Sequence, residues 1–377
     1  MKKKIIIVND DYPSVDKKTI HATDYIINEK YSNINYEAHT FFKDSKYLTS
    51  AYYVELMSKA RQHEIPVEIK NHTKEKYENR LAILIDPYEE NPPTGKESLE
   101  LMKTVSESIG FKTDIVTYNH FKNSYHLYDA LFIRETTAVN HHTYEISKIC
   151  EEHGLVVIDD SESIRQCTNK IYQNELFKIN NIPVLESKII CNDNLVDVAV
   201  TLNYPCVVKI PDSCCSMGVF KMESRSEFIE RCYDLLLDYK FLLVQEFYKT
   251  DFDWRIGILN GKPLFACKYW MSRNGWQIID HSDPNDDRIS KCGRTEIVDI
   301  KQVPDYIIKT ALKSSALIGN GLYGVDLKEK NQGCIVVEIN DCLDIDIPYE
   351  IKAADNFILL EIFNEFKNRL EKKKSIS

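Results

Sequence analysis

From Arg80 onwards, short apolar runs alternate with amphipathic helical patterns, and this alternation limits the possible fold more than any other feature of the chain. The runs LAILID, FKTDIVTY, YDALFIRE and LVVIDD have the length and composition of strands. The helical segments between them end at Gly110 and Gly154, which suit a helix C-terminus. Strand–helix–strand units of this spacing form parallel sheets with right-handed crossovers. The region therefore predicts a parallel α/β sheet, whose strand ends form a natural ligand crevice.

After Ile182-Pro183 the chain continues as a second α/β region of different style. The apolar strand YPCVVKI is followed by the small-residue loop PDSCCSMG and by a returning strand, VFKM. A helix over Ser226–Tyr239 and a buried strand, FLLVQEF, come next. The turn Asn260-Gly261 is a strong β-hairpin signal, and YGVDLKEKNQGCIVVEIN predicts another hairpin. The chain is thus predicted to combine two regions of different architecture.

Composition argues against several classes of function. The chain has 377 residues and a net charge of −10, which argues against a nucleic-acid-binding surface. The apolar run Ile5–Val8 is too short for a signal peptide and predicts a first strand, and no run approaches the length of a membrane helix. The 11 cysteines include no CxxC pair, which indicates free thiols in a reducing compartment and argues against a zinc site. We expect a cytoplasmic protein that binds neither nucleic acid nor membrane.

Two features of the second region suit an anionic ligand. Lys209 ends an apolar strand, and a buried ammonium group costs free energy unless an anion meets it. The alternative is a lysine that simply emerges from the sheet. The loop Asp212–Gly218 consists of small residues that let backbone amides approach a phosphate, although many hairpin loops are also small and polar.

Two further strand ends carry polar groups. Gln245 and Glu246 end a buried strand, whose backbone could meet a flat ring such as adenine or could be an ordinary strand end. Asp326, Glu338 and Asn340 lie on paired strands, and the last two share a face because side chains alternate along a strand. Carboxylate and amide oxygens suit Mg²⁺, whereas unrelated surface acids are the alternative interpretation.

Together these features resemble the ATP-grasp superfamily of carboxylate–amine ligases. The resemblance is closest to the RimK-like branch, which is related to ribosomal-protein glutamate ligase and glutathione synthetase, and it covers roughly residues 80–366. The segments that carry it are CTNK, YPCVVKIPDSCCSMGVFK, VQEFYKTDFDWRIGILNGKPLFACKYW and GLYGVDLKEKNQGCIVVEIND. The segments SKYLTSAYYVELMSKARQHEIP and FIRETTAVNHHTYEISK also look like a subgroup with an extra N-terminal domain.

The resemblance implies an α/β protein in which a parallel pre-grasp region precedes an ATP-grasp domain of two α+β subdomains. The expected division is an N-terminal α/β extension over residues 1–78, a Rossmann-like pre-ATP-grasp domain over 79–165 and the ATP-grasp domain over 166–372. Within the last, a small lid subdomain is expected over about 185–245 and a large subdomain over about 246–372.

The resemblance also implies roles for individual residues. Arg255 and Lys268 are expected to face the γ-phosphate of ATP and an acyl-phosphate intermediate. Asp326, Glu338 and Asn340 are expected to hold Mg²⁺ or Mn²⁺. The residues expected to bind ATP are Lys170, Lys209, Ser213, Ser216, Met217, Gly218, Gln245, Glu246, Phe247 and Asp253.

Residues of the parallel region are candidates for substrate binding. Arg134 ends the strand ALFIR, at the edge of the predicted sheet where ligands collect. Its guanidinium could hold a substrate carboxylate through two hydrogen bonds, or could only make a structural contact with Glu135. His141 and His142 begin the next helix, and we interpret them as capping or packing residues rather than metal ligands.

The sequence departs from the family pattern directly after Asn340. The family usually has Asp-Asn-Pro-Asn or a close variant there, whereas this chain has Asp341-Cys342-Leu343-Asp344. In the family this loop lies beside the acceptor, so Asp341 and Asp344 are expected to meet the substrate and the acceptor pocket is expected to be altered. A long polar loop could be a lid, a recognition loop or merely solvated; it contains His281, Asp283, Asp286 and Arg288.

The function that the resemblance implies is ATP-dependent ligation. The expected enzyme uses ATP and Mg²⁺ to join a carboxylate to an amine, with an amino acid, a peptide or the C-terminus of a protein as substrate, and it forms a homo-oligomer. One alternative is a non-catalytic ATP-binding sensor or partner protein. Another is an ATP-grasp phosphotransferase, whose reaction stops at phosphorylation.

Overall fold

The computed structural model describes residues 3–8, 19–21, 24–25, 36–41, 79–213, 217–272, 275–279, 293–351 and 357–376. The chain forms two compact units, Met1–Tyr77 and Glu78–Ser377. Several predicted site residues lie outside the described residues: Ser216 and the loop residues His281, Asp283, Asp286 and Arg288.

The first unit contains a three-stranded parallel sheet. Strand β1, Lys3–Val8, lies between β2, Thr19–His21, and β3, Tyr36–Phe41. The strand predicted over Ile5–Val8 is therefore confirmed.

The second unit begins with the predicted four-stranded parallel sheet, in the order β5-β4-β6-β7. Two of its helices end at Ser108 and Glu152, two residues before Gly110 and Gly154, as the sequence predicts. The elements are β4 (Asn79–Leu84), α1 (Lys96–Ser108), β5 (Phe111–Val116), α2 (Tyr118–Ser124), a 3₁₀ turn (Tyr125–Leu127), β6 (Ala130–Ile133), α3 (His142–Glu152) and β7 (Val156–Ile158).

Two capped helices lead from this sheet into the antiparallel region. They are α4 (Ser161–Thr168) and α5 (Lys170–Ile179). The side chain of Asp160 accepts a hydrogen bond from a backbone amide in the first turn of α4, and Asn169 does the same for α5. Because the first turn of a helix leaves its amides without partners, these caps fix where each helix begins. The second cap places Lys170 at the start of α5.

A four-stranded antiparallel sheet follows, in the order β10-β9-β11-β8. Its core includes Val208, Phe228 and Val244, which pack strands against helices. The elements are β8 (Ser187–Ile190), α6 (Leu195–Thr201), β9 (Cys206–Lys209), β10 (Val219–Met222), α7 (Arg225–Asp238) and β11 (Leu242–Glu246).

The last sheet is five-stranded and antiparallel, in the order β14-β13-β12-β15-β16. Both predicted hairpins are present. The elements are β12 (Phe252–Leu259), β13 (Lys262–Trp270), β14 (Thr295–Val298), a 3₁₀ turn (Ile300–Gln302), α8 (Asp305–Ser315), β15 (Leu322–Lys330), β16 (Gly333–Asn340), a π-helical turn (Ile347–Ile351) and α9 (Phe357–Ile376).

One hydrophobic core joins the parallel sheet to the five-stranded sheet. Phe132 from β6 and Phe265 from β13 belong to the same buried cluster, together with Phe363 and Phe366 of α9. The C-terminal helix therefore fixes the two sheets relative to each other. Among the described residues, no helix combines the length and the apolar character that crossing a bilayer requires.

Candidate active site

A cleft lies between the four-stranded antiparallel sheet and the five-stranded sheet. It encloses about 830 Å³ of space, part of which is open to solvent. The predicted site residues that line the cleft are Lys170, Lys209, Ser213, Met217, Gln245, Glu246, Phe247, Asp253, Asp326 and Glu338.

Three charged groups at the cleft come from one face of the five-stranded sheet, whereas Lys170 begins α5 and Lys209 ends β9. Arg255 is directly opposite Asp326 on β15, and Asp326 is directly opposite Glu338 on β16. Residues directly opposite each other on neighbouring strands point to the same face. Three strands therefore present a guanidinium and two carboxylates side by side.

Asp326 is the most extensively bonded carboxylate of this face. It accepts hydrogen bonds from Arg255 through both oxygens, at 2.5 Å from Nε and 2.8 Å from Nη2. Asn340 donates to Oδ2 at 3.2 Å. Burial raises the pKa of Asp326 to about 6, because loss of solvent outweighs the opposing effect of Arg255.

Glu338 meets two lysine ammonium groups. The Nζ of Lys170 is 3.7 Å from Oε2, and Lys170 also donates to the backbone carbonyl of Ser213. Burial on its own would raise the pKa of Glu338, but Lys170 and Lys209 outweigh burial, and the pKa is lowered. Lys209 is 8% exposed, and burial lowers its pKa to about 8 despite the opposing charge of Glu338.

A β-bulge shapes the strand that carries Glu338. Asp326 pairs with Glu338 but Leu327 pairs with Val336, so Val337 is the extra residue. Val337 lines the cleft together with Glu338. Bulges frequently lie beside functional sites because they redirect side chains. Here the bulge brings an apolar side chain and a carboxylate from adjacent positions to the same cleft.

The predicted phosphate-binding loop closes on itself through Gly218. The amide of Ile210 donates to the Gly218 carbonyl at 2.8 Å, and Ser213 Oγ donates to the Ile210 carbonyl at 2.9 Å. Gly218 has φ +69°, and a Cβ there would lie 2.9 Å from Ser213 Cβ. The loop therefore requires glycine for both its backbone conformation and its space.

An aromatic and polar wall faces this loop. Gln245 is buried, and the Phe247 ring contacts the Trp276 ring edge to face at 5.7 Å. The ammonium of Lys221 lies 4.4 Å from the centre of the Phe247 ring. Glu246 accepts from Lys330 at 2.9 Å. Such a wall suits a flat heterocyclic ring.

Several residues of the cleft were not predicted, among them Lys328 and Trp276. Lys328 donates to Asp253 at 2.6 Å and to Thr250 at 2.8 Å. It lies two positions after Asp326 on the same strand, so the alternation rule that selected Glu338 and Asn340 also selects Lys328. Trp276 lies in a segment without periodic pattern, and no sequence signal identifies it.

The predicted catalytic role of Lys268 does not fit its position. Lys268 is directly opposite Trp254, whereas Arg255 is directly opposite Cys267. Because side chains alternate along a strand, Lys268 lies on the other face of the sheet from Arg255. Its ammonium lies 4.8 Å from the ring of Phe252 and 5.0 Å from the ring of Trp254. The prediction depended on the register of β13, which the sequence does not give.

The predicted substrate residue Arg134 is buried away from the cleft. It is 1% exposed and donates to Thr94 Oγ1 at 2.8 Å, to the Pro93 carbonyl at 3.0 Å and to the Leu343 carbonyl at 2.7 Å. A further contact, 3.6 Å long, joins it to Cys342 Sγ. These contacts fit a residue that fixes the loop after β16, and the alternative contact with Glu135 is not among them.

Glu135 pairs instead with His142. Their Oε1 and Nε2 atoms are 2.6 Å apart, and the His141 ring stacks on His142 at 3.8 Å between centroids. His141 occupies the N-cap of α3, but its side chain makes no capping hydrogen bond. The packing interpretation of these histidines fits the structure better than the capping interpretation.

The two acids predicted to meet the substrate differ in burial. Asp341 is 4% exposed and accepts from Thr137 Oγ1 at 2.7 Å, and burial raises the pKa of its carboxyl to about 6. Asp344 is half-buried. The carboxylate of Asp344 acts on Arg255. Burial lowers the pKa of the Arg255 guanidinium, but Asp326 and, more weakly, Asp344 raise it, and the net pKa is raised.

The oxygen donors at the end of the β15–β16 hairpin fit a magnesium ion. Asp326, Glu338 and Asn340 converge on one face and offer two carboxylates and an amide oxygen, the donor types that Mg²⁺ prefers. Within the described ranges, no group of three or more His, Cys, Asp or Glu side chains is arranged to hold a metal. A magnesium site here therefore relies on the amide and on phosphate oxygens to complete its ligands.

Comparison with known proteins identifies distant relatives. No family model matches the chain. The α-aminoadipate–LysW ligase LysX of Saccharolobus solfataricus is 24% identical over 253 residues, which is 64% of this chain and 82% of the relative. The tetrahydromethanopterin:α-L-glutamate ligase of Methanocaldococcus jannaschii is 22% identical over 261 residues, 66% of this chain and 84% of the relative.

Solved structures share the fold. D-alanine–D-alanine ligase from Bacillus anthracis superposes with a TM-score of 0.58 at 15% identity, over 78% of this chain and 99% of that ligase. A RimK-domain ATP-grasp protein from Sphaerobacter thermophilus gives 0.57 at 15% identity, over 76% and 98%. The ATP-grasp ligase PsnB, in a complex with Mg and ADP, gives 0.54 at 14% identity, over 77% and 98%.

These findings confirm the predicted ATP-grasp fold and the resemblance to RimK-like ligases. They also agree with the predicted class of enzyme, because both relatives found by sequence are ligases, as is the structural neighbour from Bacillus anthracis. The roles of individual site residues stay predictions.

Proposed function

We propose that this protein is an ATP-dependent carboxylate–amine ligase that forms an amide bond on an amino acid or peptide through an acyl phosphate. The observation that supports this most is that three cations contact or face two acids that line one cleft. Lys170 and Lys209 face Glu338, and Arg255 holds Asp326. This arrangement suits a polyphosphate with its metal ion.

Each group has a part in the proposed reaction. The buried wall around Gln245 and Phe247 binds the adenine ring, and Lys170 and Lys209 neutralise the phosphates. Asp326, Glu338 and Asn340 would hold Mg²⁺, which when bound withdraws charge from the phosphates. Arg255 stabilises the negative charge that builds on the γ-phosphoryl oxygens during transfer.

The proposed reaction needs no covalent nucleophile of the enzyme. A substrate carboxylate oxygen attacks the γ-phosphorus, the bond to the β,γ-bridging oxygen breaks, and ADP leaves. The amine nitrogen then attacks the acyl carbon, the acyl–phosphate bond breaks, and inorganic phosphate and a proton are released. The protein contributes position and exclusion of water, since water would hydrolyse the acyl phosphate.

The test is Mg²⁺-dependent ADP release from the full chain with pooled amino acids, dipeptides and small thiols. A product mass equal to two substrates minus water is expected, and Glu338→Ala is expected to abolish ADP release. Glu329→Gln is the matched control, because Glu329 lies on the same hairpin but bonds to Trp254 Nε1 instead. ATP binding without turnover in every pool would favour the nucleotide sensor, and phosphorylation without condensation would favour the phosphotransferase.

The predicted organisation is part of this proposal. The region 79–165 forms the pre-grasp part and 166–372 the ATP-grasp domain, with 185–245 as the lid and 246–372 as the large subdomain. The four-stranded antiparallel sheet lies within the proposed lid and the five-stranded sheet within the proposed large subdomain. We further propose a cytoplasmic homo-oligomer, which size-exclusion chromatography with light scattering would test.

The affinity for ATP is expected to decrease above about pH 8. The pKa of Lys209 is lowered to about 8 by burial, so its ammonium is charged below this pH and neutral above it. Bound phosphate favours the charged form and raises this pKa, so the dissociation constant of ATP should rise up to about tenfold per pH unit above pH 8. Calorimetry from about pH 7.5 to about pH 9.5 measures this change. Lys209→Arg should flatten the profile, and a wild-type profile that is flat over this range would contradict the assignment.

Gly218→Ala is expected to raise the dissociation constant of ATP about tenfold or more, because the new Cβ would force the loop away from Ser213. Gly261→Ala is the matched control. Gly261 has φ +70° against +69° for Gly218, but a Cβ at Gly261 meets nothing within 4 Å. Gly218→Ala should lose more stability in thermal unfolding than Gly261→Ala, because its Cβ also meets the Ser213 and Ile210 side chains, and only Gly218→Ala should lose affinity for ATP in calorimetry. Equal ATP affinity in the two variants would contradict a phosphate-binding loop.

A further inference from the structure

A buried carboxylate oxygen without a hydrogen-bond partner lies at the carboxyl edge of the parallel sheet. Glu135, which follows β6, is 1% exposed, and its Oε1 bonds to His142. Among the described residues, no hydrogen-bond partner reaches its Oε2. An unsatisfied buried carboxylate oxygen is costly, so such a group generally has a partner that binds to it.

The surroundings of Glu135 are acidic. Asp86 and Glu89 follow β4, the neighbouring strand, and burial together with these two carboxylates raises the pKa of Glu135 to about 8. Glu89 accepts from the backbone amide of Thr136 and from its hydroxyl. His141 and His142 are titratable neighbours on the helix that follows, and burial lowers the pKa of both, so they contribute little positive charge at neutral pH.

This edge is connected directly to the loop that follows the proposed metal residues. Thr137 donates to Asp341, which is adjacent to Asn340, and Arg134 donates to the Leu343 carbonyl. The segment from Arg134 to Thr137 is thus held between the acidic edge and the end of β16. A substrate at the end of β16 would have this segment as a neighbour.

We propose that Glu135, together with Asp86 and Glu89, binds the primary ammonium group of the substrate that is ligated. This rests on the proposed ligase function and specifies its substrate as one with a free amine. Glu135 Oε2 accepts a hydrogen bond from the ammonium, and the other two carboxylates supply negative charge. His142 holds Oε1, so the carboxylate is oriented before the amine arrives.

The test compares amines with their acetylated counterparts. Calorimetry on the full chain, with and without MgATP, uses L-alanine, L-lysine, L-glutamate and glycylglycine, each beside its N-acetyl derivative. We expect at least one amine to bind, to lose about 10- to 100-fold in affinity on acetylation, and to lose a similar factor in Glu135→Gln. Glu145→Gln is the matched control, because Glu145 lies on α3 but is exposed and pairs with Lys122.

A second measurement identifies the group involved even if Glu135→Gln is unstable. Because binding a cation favours the ionised carboxyl, amine binding to the wild type near pH 7 should release a proton, and affinity should increase as the pH approaches about 8. Titrations in buffers of different ionisation enthalpy measure this release. Amine binding without proton release, or without loss in Glu135→Gln, overturns the proposal, as does the absence of binding by every amine tested.

The outcome is separable from that of the ligase proposal. MgATP binding and ADP release are measured on the same Glu135→Gln protein. If MgATP binds normally and the affinity for every amine is independent of Glu135, the ammonium-site proposal is wrong and the nucleotide site stands. If the binding of amines depends on Glu135 but no ADP is released with any of them, the ammonium site stands and the ligase proposal fails.

Discussion

Arg255→Met is expected to lower kcat for ADP release about 100- to 1,000-fold, the usual cost of removing one group that stabilises transition-state charge. Arg255 forms a bidentate pair with Asp326, which lines the cleft, so its guanidinium is fixed before ATP arrives. Because the proposed role of Arg255 is to stabilise charge that builds during transfer, kcat should decrease more than the affinity for ATP. Steady-state kinetics beside calorimetry of ATP binding separate the two effects.

The controls for this prediction come from the same sheet. Arg294→Met removes an exposed guanidinium that pairs with Glu296, and it should keep nearly full activity. Arg255→Lys keeps the charge but loses the second hydrogen bond to Asp326, so its activity should lie between that of Arg255→Met and the wild type. If Arg255→Met retains kcat within about threefold of the wild type, Arg255 has no role in phosphoryl transfer.

The cleft could be predicted from local patterns wherever its residues share one strand or one hairpin. Glu338 and Asn340 follow from strand alternation, and Asp326 follows from the short turn that pairs the two strands. Lys328 obeys the same rule and could have been predicted. The bulge at Val337 does not change this result, because it precedes Glu338 and leaves the end of the strand in register with Asp326.

The predictions that do not fit required information that one strand does not contain. Whether Lys268 faces the cleft depends on the register between β12 and β13, and a shift of one residue moves a side chain to the other face. Arg134 ends a parallel strand, as predicted, but its acceptors lie in two distant loops, at Pro93 and Thr94 and at Leu343. Such tertiary contacts decide whether an arginine at a strand end binds a ligand or the protein itself.

Arg134→Met is therefore expected to destabilise the second unit by about 3–5 kcal/mol, because several buried acceptors lose their donor at once. The substitution would remove the hydrogen-bond donor to the Pro93 carbonyl, the Leu343 carbonyl and the Thr94 hydroxyl. The loop after β16 would then lose its attachment to the parallel sheet. Denaturant unfolding followed by tryptophan fluorescence measures the loss. A matched control is Arg165→Met, whose guanidinium is exposed and pairs with Glu162, and which should change stability by less than about 1 kcal/mol.

Kinetics on the same variant decide between this structural role and the predicted substrate role. A residue that positions the loop after β16 should, when replaced, affect carboxylate and amine substrates together and lower stability. A residue that holds a substrate carboxylate should leave unfolding unchanged and raise KM for that substrate alone, because only uniform binding is lost. Wild-type stability with a selective increase in KM would restore Arg134 to the substrate site. A loss of stability without selectivity would assign it to the attachment between the parallel sheet and the acceptor loop.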